Sequence, residues 1–250
     1  MLKLLLAPSL VALASLMGRR FGPKMTGWVA GFPIVAGPIL FFFAKEQGPV
    51  FAAHAAASAL QGLISLSAFS VAYTRTATRF GWLPSVAAGW LAFTLFTVAQ
   101  EPIQLPWLAG LPLALACFWA ARALMPRPSG ATPTKAVSPP AWDIPVRMLA
   151  TAGLVLGLTG LASWLGPSWS GLLTPFPVAS TVLAVFAHLH GGLGAAEKVL
   201  KSLLVSMQGF AVFLAALAAT LPSLGLTWAF TLALTLACLF QALVFKAVLR

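Results

Sequence analysis

The chain has 250 residues, 60% of them hydrophobic and 8% charged, with a formal net charge of +11. A soluble domain carries about 25% charged residues, so this composition excludes one and predicts an all-α integral membrane protein. Fifteen Lys and Arg against four acids leave no solvated face for a nucleic-acid patch, and the charges are expected in loops, where they report topology. Cys117 and Cys238 both lie in apolar runs. They are too few and too far apart for a disulfide framework or a metal site, and read as small packing residues.

A membrane span needs about 20 mostly apolar residues. In chain order, nine stretches qualify: Leu4 to Gly18, Met25 to Ala44, Pro49 to Tyr73, Trp82 to Ala99, Trp107 to Met125, Val146 to Leu165, Gly171 to Leu189, Val199 to Leu221 and Leu226 to Leu249. The first has signal-peptide features, but Arg19, Arg20 and Lys24 follow it directly, so it is read as a retained helix. Pro126 to Pro145 holds six prolines among Ser, Thr and Gly and is read as an extended linker.

With nine spans, the loops after spans one, three, five and seven and the C-terminus fall on one side. That side collects thirteen of the cations, and Lys3 and Lys45 alone lie opposite. The bias predicts an outside N-terminus and a cytoplasmic C-terminus.

Gly22-Pro23, Gly27 and Phe32-Pro33 reappear as Gly166-Pro167, Gly171 and Phe176-Pro177, each 144 residues later. Gln61-Gly62 in span three is matched by Gln208-Gly209 in span eight, at an offset of 147. These matches predict an internal duplication: residues 1–100 as a first four-helix repeat, 101–145 as a connector helix and cytoplasmic linker, and 146–250 as a second repeat. The offset of five spans is odd, so the repeats are expected to be inverted. That is the arrangement of secondary transporters whose site lies at broken helices.

Several segments resemble the GlpM-like family of small four-span bacterial inner-membrane proteins. The resemblance rests on Gly27 through Phe32-Pro33, on Lys45-Glu46-Gln47-Gly48, on the small-residue helix from Ala52, and on Trp82-Leu83-Pro84. The second half is similar at Gly171 and Phe176-Pro177, but has His190-Gly191-Gly192 where the first has Glu46-Gln47-Gly48. The resemblance implies topology and a bacterial inner membrane more than an activity.

Candidate site residues follow from the helix breaks. Pro33 and Pro38 in span two, and Pro175 and Pro177 in span seven, interrupt their helices. Freed backbone groups in lipid must be satisfied by protein or by a water-lined cavity. A substrate-binding set is therefore expected from Phe32, Pro33, Gly37, Pro38 and Gln61 in the first half, and from Thr174, Pro175, Phe176, Pro177, Ser180, Thr181 and Gln208 in the second. Ordinary packed kinks and interhelical amide bonds are the competing readings.

Glu46 and His54 are candidates for gating or proton-linked roles; a solvated Lys45–Glu46 pair and a carbonyl-bonded His54 are the plainer readings. His188 and His190 stand at i, i+2, which diverges on a helix and speaks against a metal. Glu197 and Lys201 can pair at i, i+4.

No catalytic constellation, metal site or cofactor motif is expected, and no phosphate loop is present. The leading expectation is a secondary transporter or facilitator of a small solute, either an anion or an amphiphile. The alternatives are an accessory or scaffold subunit for envelope polysaccharide or lipid assembly, and an intramembrane lipid-modifying enzyme using His54 or Glu46. The expected partners are the bilayer and a small-molecule substrate, with a homodimer left open.

Overall fold

The computed structural model describes residues 2–32, 36–103, 105–126, 142–153, 156 and 176–244, and all regular structure among them is helical. The elements are α1 (Leu2–Phe21), α2 (Pro23–Ala30), α3 (Ala36–Gln47), α4 (Pro49–Thr76), α5 (Trp82–Gln100), α6 (Trp107–Leu124), α7 (143–153) and α8 (Val178–Val244). Four of them, α4, α5, α6 and α8, are long and apolar enough to cross a membrane.

The 67 residues of α8 would extend about 100 Å at 1.5 Å per residue, far beyond a hydrocarbon core of about 30 Å. The helix does not run straight. Gly192 (φ 68, ψ −170) and Gly225 (φ 73, ψ 174) are non-helical and divide it into three arms, here α8a (178–191), α8b (193–224) and α8c (226–244). Gly48, between α3 and α4, has nearly the same conformation (φ 93, ψ 162). This region of backbone space is open essentially to glycine alone, so one residue reverses the chain where a side chain could not.

Two expected boundaries change, the first of them at Gly192. The sequence reading ended one span at Leu189 and began the next at Val199, with Glu197, Lys198 and Lys201 at its opening. Instead α8b starts at residue 193, directly after Gly192, and Glu197, Lys198 and Lys201 lie on it. The linker expected from Pro126 to Pro145 also ends early: α7 is helical from residue 143. Most of that linker lies outside the described residues, as do Pro33, Thr174, Pro175 and the repeat motif from Gly166 through Gly171.

The break expected in span two is observed. α2 stops at Ala30, Gly31 and Phe32 leave the helix, and α3 resumes at Ala36. Pro23 supplies the first turn of α2, where its missing N–H costs nothing.

The core is built around α4 and α8b. α4 packs against α3, α5, α6 and α8, while α2 packs against α1 and α8. In their most apolar windows α4 and α8 bury 67% of residues, against 28% for α5 and 22% for α6. The two peripheral helices turn Leu91, Leu95, Leu108 and Trp119 outward, as a lipid-facing surface requires. Trp82, Trp107, Trp142 and Trp228 are exposed near helix starts, the placement of an interfacial aromatic belt.

Candidate ligand cavity and ionic cluster

The broken end of α2 is held by close approach to α8b. A Cβ at Gly27 would overlap the Val199 carbonyl, and one at Gly31 would overlap the Ser206 side chain. Only glycine at both positions, one turn apart, lets the two backbones meet. At the break, the Gly31 and Phe32 N–H groups bond at 3.3 Å to the carbonyls of Trp28 and Val29, three residues back. The Trp28 carbonyl also accepts the Ser206 hydroxyl at 2.5 Å. A hydroxyl on the neighbouring helix thus satisfies backbone at the break.

Beside this break lies a cavity of about 150 Å³. The break contributes Gly31 and Phe32, and α8b contributes Gly209 and Phe210. The α8c arm closes it with Leu234, Ala237, Cys238 and Gln241. Phe32 is held edge-on to Trp28, with ring centroids 4.9 Å apart. Cys238 is exposed, so the cavity reaches the outer face of the bundle along α8c. Gln241 is 4% exposed and donates through Nε2 to the Ser206 Oγ.

Thr174 and Pro175 of the second expected break lie outside the described residues, and Phe176 beside them packs against two rings. The Phe176 ring lies 5.2 Å from Phe93 and 5.7 Å from Trp90. The Trp90 indole N–H donates to Thr181 Oγ1 at 3.0 Å. Pro177, Ser180 and Thr181 are buried.

The remaining sequence candidates separate. Gln61 is buried and donates to the Ile103 carbonyl at 2.5 Å, which ties α4 to the loop after α5. Ser65 beside it accepts from Thr97 and from Gln100. Gln208 is buried, and its Nε2 has no partner among the described residues. Gln61 and Gln208 therefore do not share partners, although the sequence paired them. Gly37 is buried near the Phe213 ring and Pro38 is half-buried. Glu46 and His54 are exposed and join neither the cavity nor a buried network.

A second polar centre was not predicted. Asp143 is fully buried at the start of α7. Its Oδ2 accepts from Arg147 Nε at 3.0 Å and from Arg19 Nη2 at 3.2 Å. The Arg147 guanidinium also lies 4.6 Å over the Phe186 ring and reaches Ser15 Oγ at 3.4 Å. His190 Nε2 stands 3.8 Å from Asp143 Oδ1, and its Nδ1 lies 2.7 Å from the Phe186 carbonyl. Close by in sequence, His188 Nδ1 meets the Tyr73 hydroxyl at 3.3 Å. Arg75 donates to the Leu124 carbonyl at 3.2 Å.

These contacts draw together the C-terminal ends of α1, α4, α6 and α8a and the start of α7. The signal in the sequence was the Asp143–Arg147 spacing of four, one helical turn. It was hidden because Asp143 stands two residues before Pro145, inside the stretch read as linker. Glu197 and Lys201 form the expected ion pair on α8b, and Glu197 is buried.

Comparison of the chain with family models, with curated proteins and with solved structures finds no match.

Proposed function

We propose that the chain is a nine-span secondary transporter or facilitator of a small amphiphilic solute, built from two inverted four-helix repeats around the connector α6. The observation that carries the proposal is the cavity at the break of span two, lined by Phe32, Phe210 and Gln241. A broken helix beside a cavity near mid-span is the form such sites take.

The duplication is supported by geometry at an offset of 144. Gly48 and Gly192 (192 − 48 = 144) share the glycine-only conformation and open α4 and α8b. Gly81 and Gly225 precede α5 and α8c at the same offset. The buried face of α5 includes Ser85, Gly89, Phe93 and Thr97, and that of α8c is Ala229, Ala233, Ala237 and Gln241, each pair again 144 apart. On this register Gln208 stands opposite Ile64 rather than Gln61.

The same register accounts for the cavity. Phe32 corresponds to Phe176, Trp90 to Leu234 and Phe93 to Ala237. Two aromatic rings crowd Phe176, whereas Leu and Ala leave space beside Phe32. On this reading the two equivalent rings differ in how closely their neighbours pack against them.

Inversion is supported by the meeting of helix ends in the ionic cluster. The elements involved border the loops after spans one, three, five and seven, the set that carries the cations. That charge bias supports a cytoplasmic C-terminus, and the GlpM-like resemblance supports a bacterial inner membrane. The cavity favours transport over an accessory subunit, for which a closed bundle would suffice. His54 and Glu46, the groups an intramembrane enzyme would use, are exposed and lie outside this cavity.

Reconstitution tests the proposal. Liposomes containing the purified chain should release trapped benzylammonium several-fold faster than empty liposomes. Equal rates across a panel of small aromatic and aliphatic amphiphiles would remove the transport reading.

A further inference from the structure

The cavity has one polar side chain, Gln241, and its hydrogen bonds fix which end is left without a partner. Ser206 gives its hydroxyl proton to the Trp28 carbonyl. Its oxygen can then only accept from Gln241, so the amide NH₂ must face Ser206 and the carbonyl Oε1 must face away. Oε1 sits against Gly209, where an added Cβ would overlap it. It is buried and has no donor among the described residues. An unsatisfied buried carbonyl is unfavourable, and a ligand that brings a donor recovers the lost bond.

The other side chains are apolar: Phe32, Phe210, Leu234, Ala237 and Cys238. A cavity of about 150 Å³ matches the size of an engineered apolar cavity that holds benzene.

Resting on the reading of this cavity as the solute site, we infer that it takes a small apolar molecule, of single-ring size, carrying one hydroxyl or ammonium donor directed at Gln241 Oε1. The donor can be neutral or cationic. A carboxylate is selected against, because it would face the Gln241 carbonyl and the faces of Phe32 and Phe210 with acceptors alone. The site therefore discriminates by a single hydrogen bond on an apolar body, and the amphiphile is preferred to the anion.

Fluorine NMR of the full chain in nanodiscs tests this with para-fluorobenzyl alcohol, para-fluorotoluene and para-fluorobenzoate. The alcohol should bind several-fold tighter than the toluene, and the benzoate weakest. Gln241→Leu should bring the alcohol and the toluene to equal affinity. Ala237→Phe, which places in α8c the ring that α5 carries as Phe93, should abolish binding of both while the protein remains folded by its thermal melt. The inference is overturned if the toluene binds wild type as well as the alcohol does, or if the benzoate binds tightest. It is also overturned if no probe binds the folded wild-type chain, or if Ala237→Phe leaves binding intact. Alcohol-selective binding without benzylammonium flux would leave the site standing and remove transport; flux without that selectivity would do the reverse.

Discussion

The Arg19 guanidinium lies 3.2 Å from the Asp143 carboxylate, joining α1 to a helix that begins 124 residues further along the chain. Arg147 meets the same oxygen from one turn away. The two cations are unequal: the Arg147 side chain is 9% exposed and that of Arg19 is 30%. Removing one partner of a buried pair costs about 3 to 5 kcal/mol, because the other charge is left uncompensated. Asp143→Asn should therefore destabilise the chain by about 3 kcal/mol, seen as a drop in thermal midpoint in detergent. Arg19→Gln should cost no more than about 1 kcal/mol, as for a part-exposed pair. Equal losses for the two variants would show that Asp143 does not depend on burial of its partner.

Close helix approach makes a second prediction. Gly27→Ala would drive a methyl group into the Val199 backbone carbonyl, which cannot rotate aside. Separation of α2 from α8b should cost about 1 to 3 kcal/mol. Gly81→Ala is the control: φ is −70 and nothing lies within 4 Å of the new methyl. It should change stability by no more than about 0.5 kcal/mol. Chemical denaturation of both variants in mixed micelles would separate the two cases.

The reversals at Gly48 and Gly192 fail for a different reason. Neither has a neighbour within 4 Å of an added Cβ, so space is not limiting. Both lie in the glycine-only region, where another residue costs about 1 to 3 kcal/mol. Gly48→Ala and Gly192→Ala should therefore destabilise by similar amounts, and thermal melts of the two can be compared directly. A large cost at one and none at the other would count against their equivalence as repeat positions.

Much of the helical plan was legible in the sequence because lipid imposes strong patterning. Apolar runs of span length located α4, α5 and α6 closely, and Phe32-Pro33 marked the break that ends α2. Gly192 was harder to read, because its single-residue reversal leaves no loop composition behind. Glu197, Lys198 and Lys201 were read as opening the span, whereas α8b already begins at residue 193 and buries Glu197. Asp143 was concealed by the prolines around it. The cavity had no sequence signature of its own. Leu234 and Ala237 line it, and on the proposed duplication they stand where Trp90 and Phe93 stand in the other half, a difference in side-chain volume that shows only once helices are paired. Gln61 and Gln208 were matched by a local dipeptide, whereas the buried faces keep register at 144 and separate them.

The most direct measurement is benzylammonium efflux from liposomes holding wild-type chain or Ala237→Phe at equal density. With Phe93 as precedent for the ring, the variant should fold and pack normally yet close the space beside Phe32. The account predicts that wild type releases the solute several-fold faster than empty liposomes and that Ala237→Phe falls to the empty-liposome rate. Undiminished efflux through folded Ala237→Phe would contradict the claim that solute passes by the break of span two.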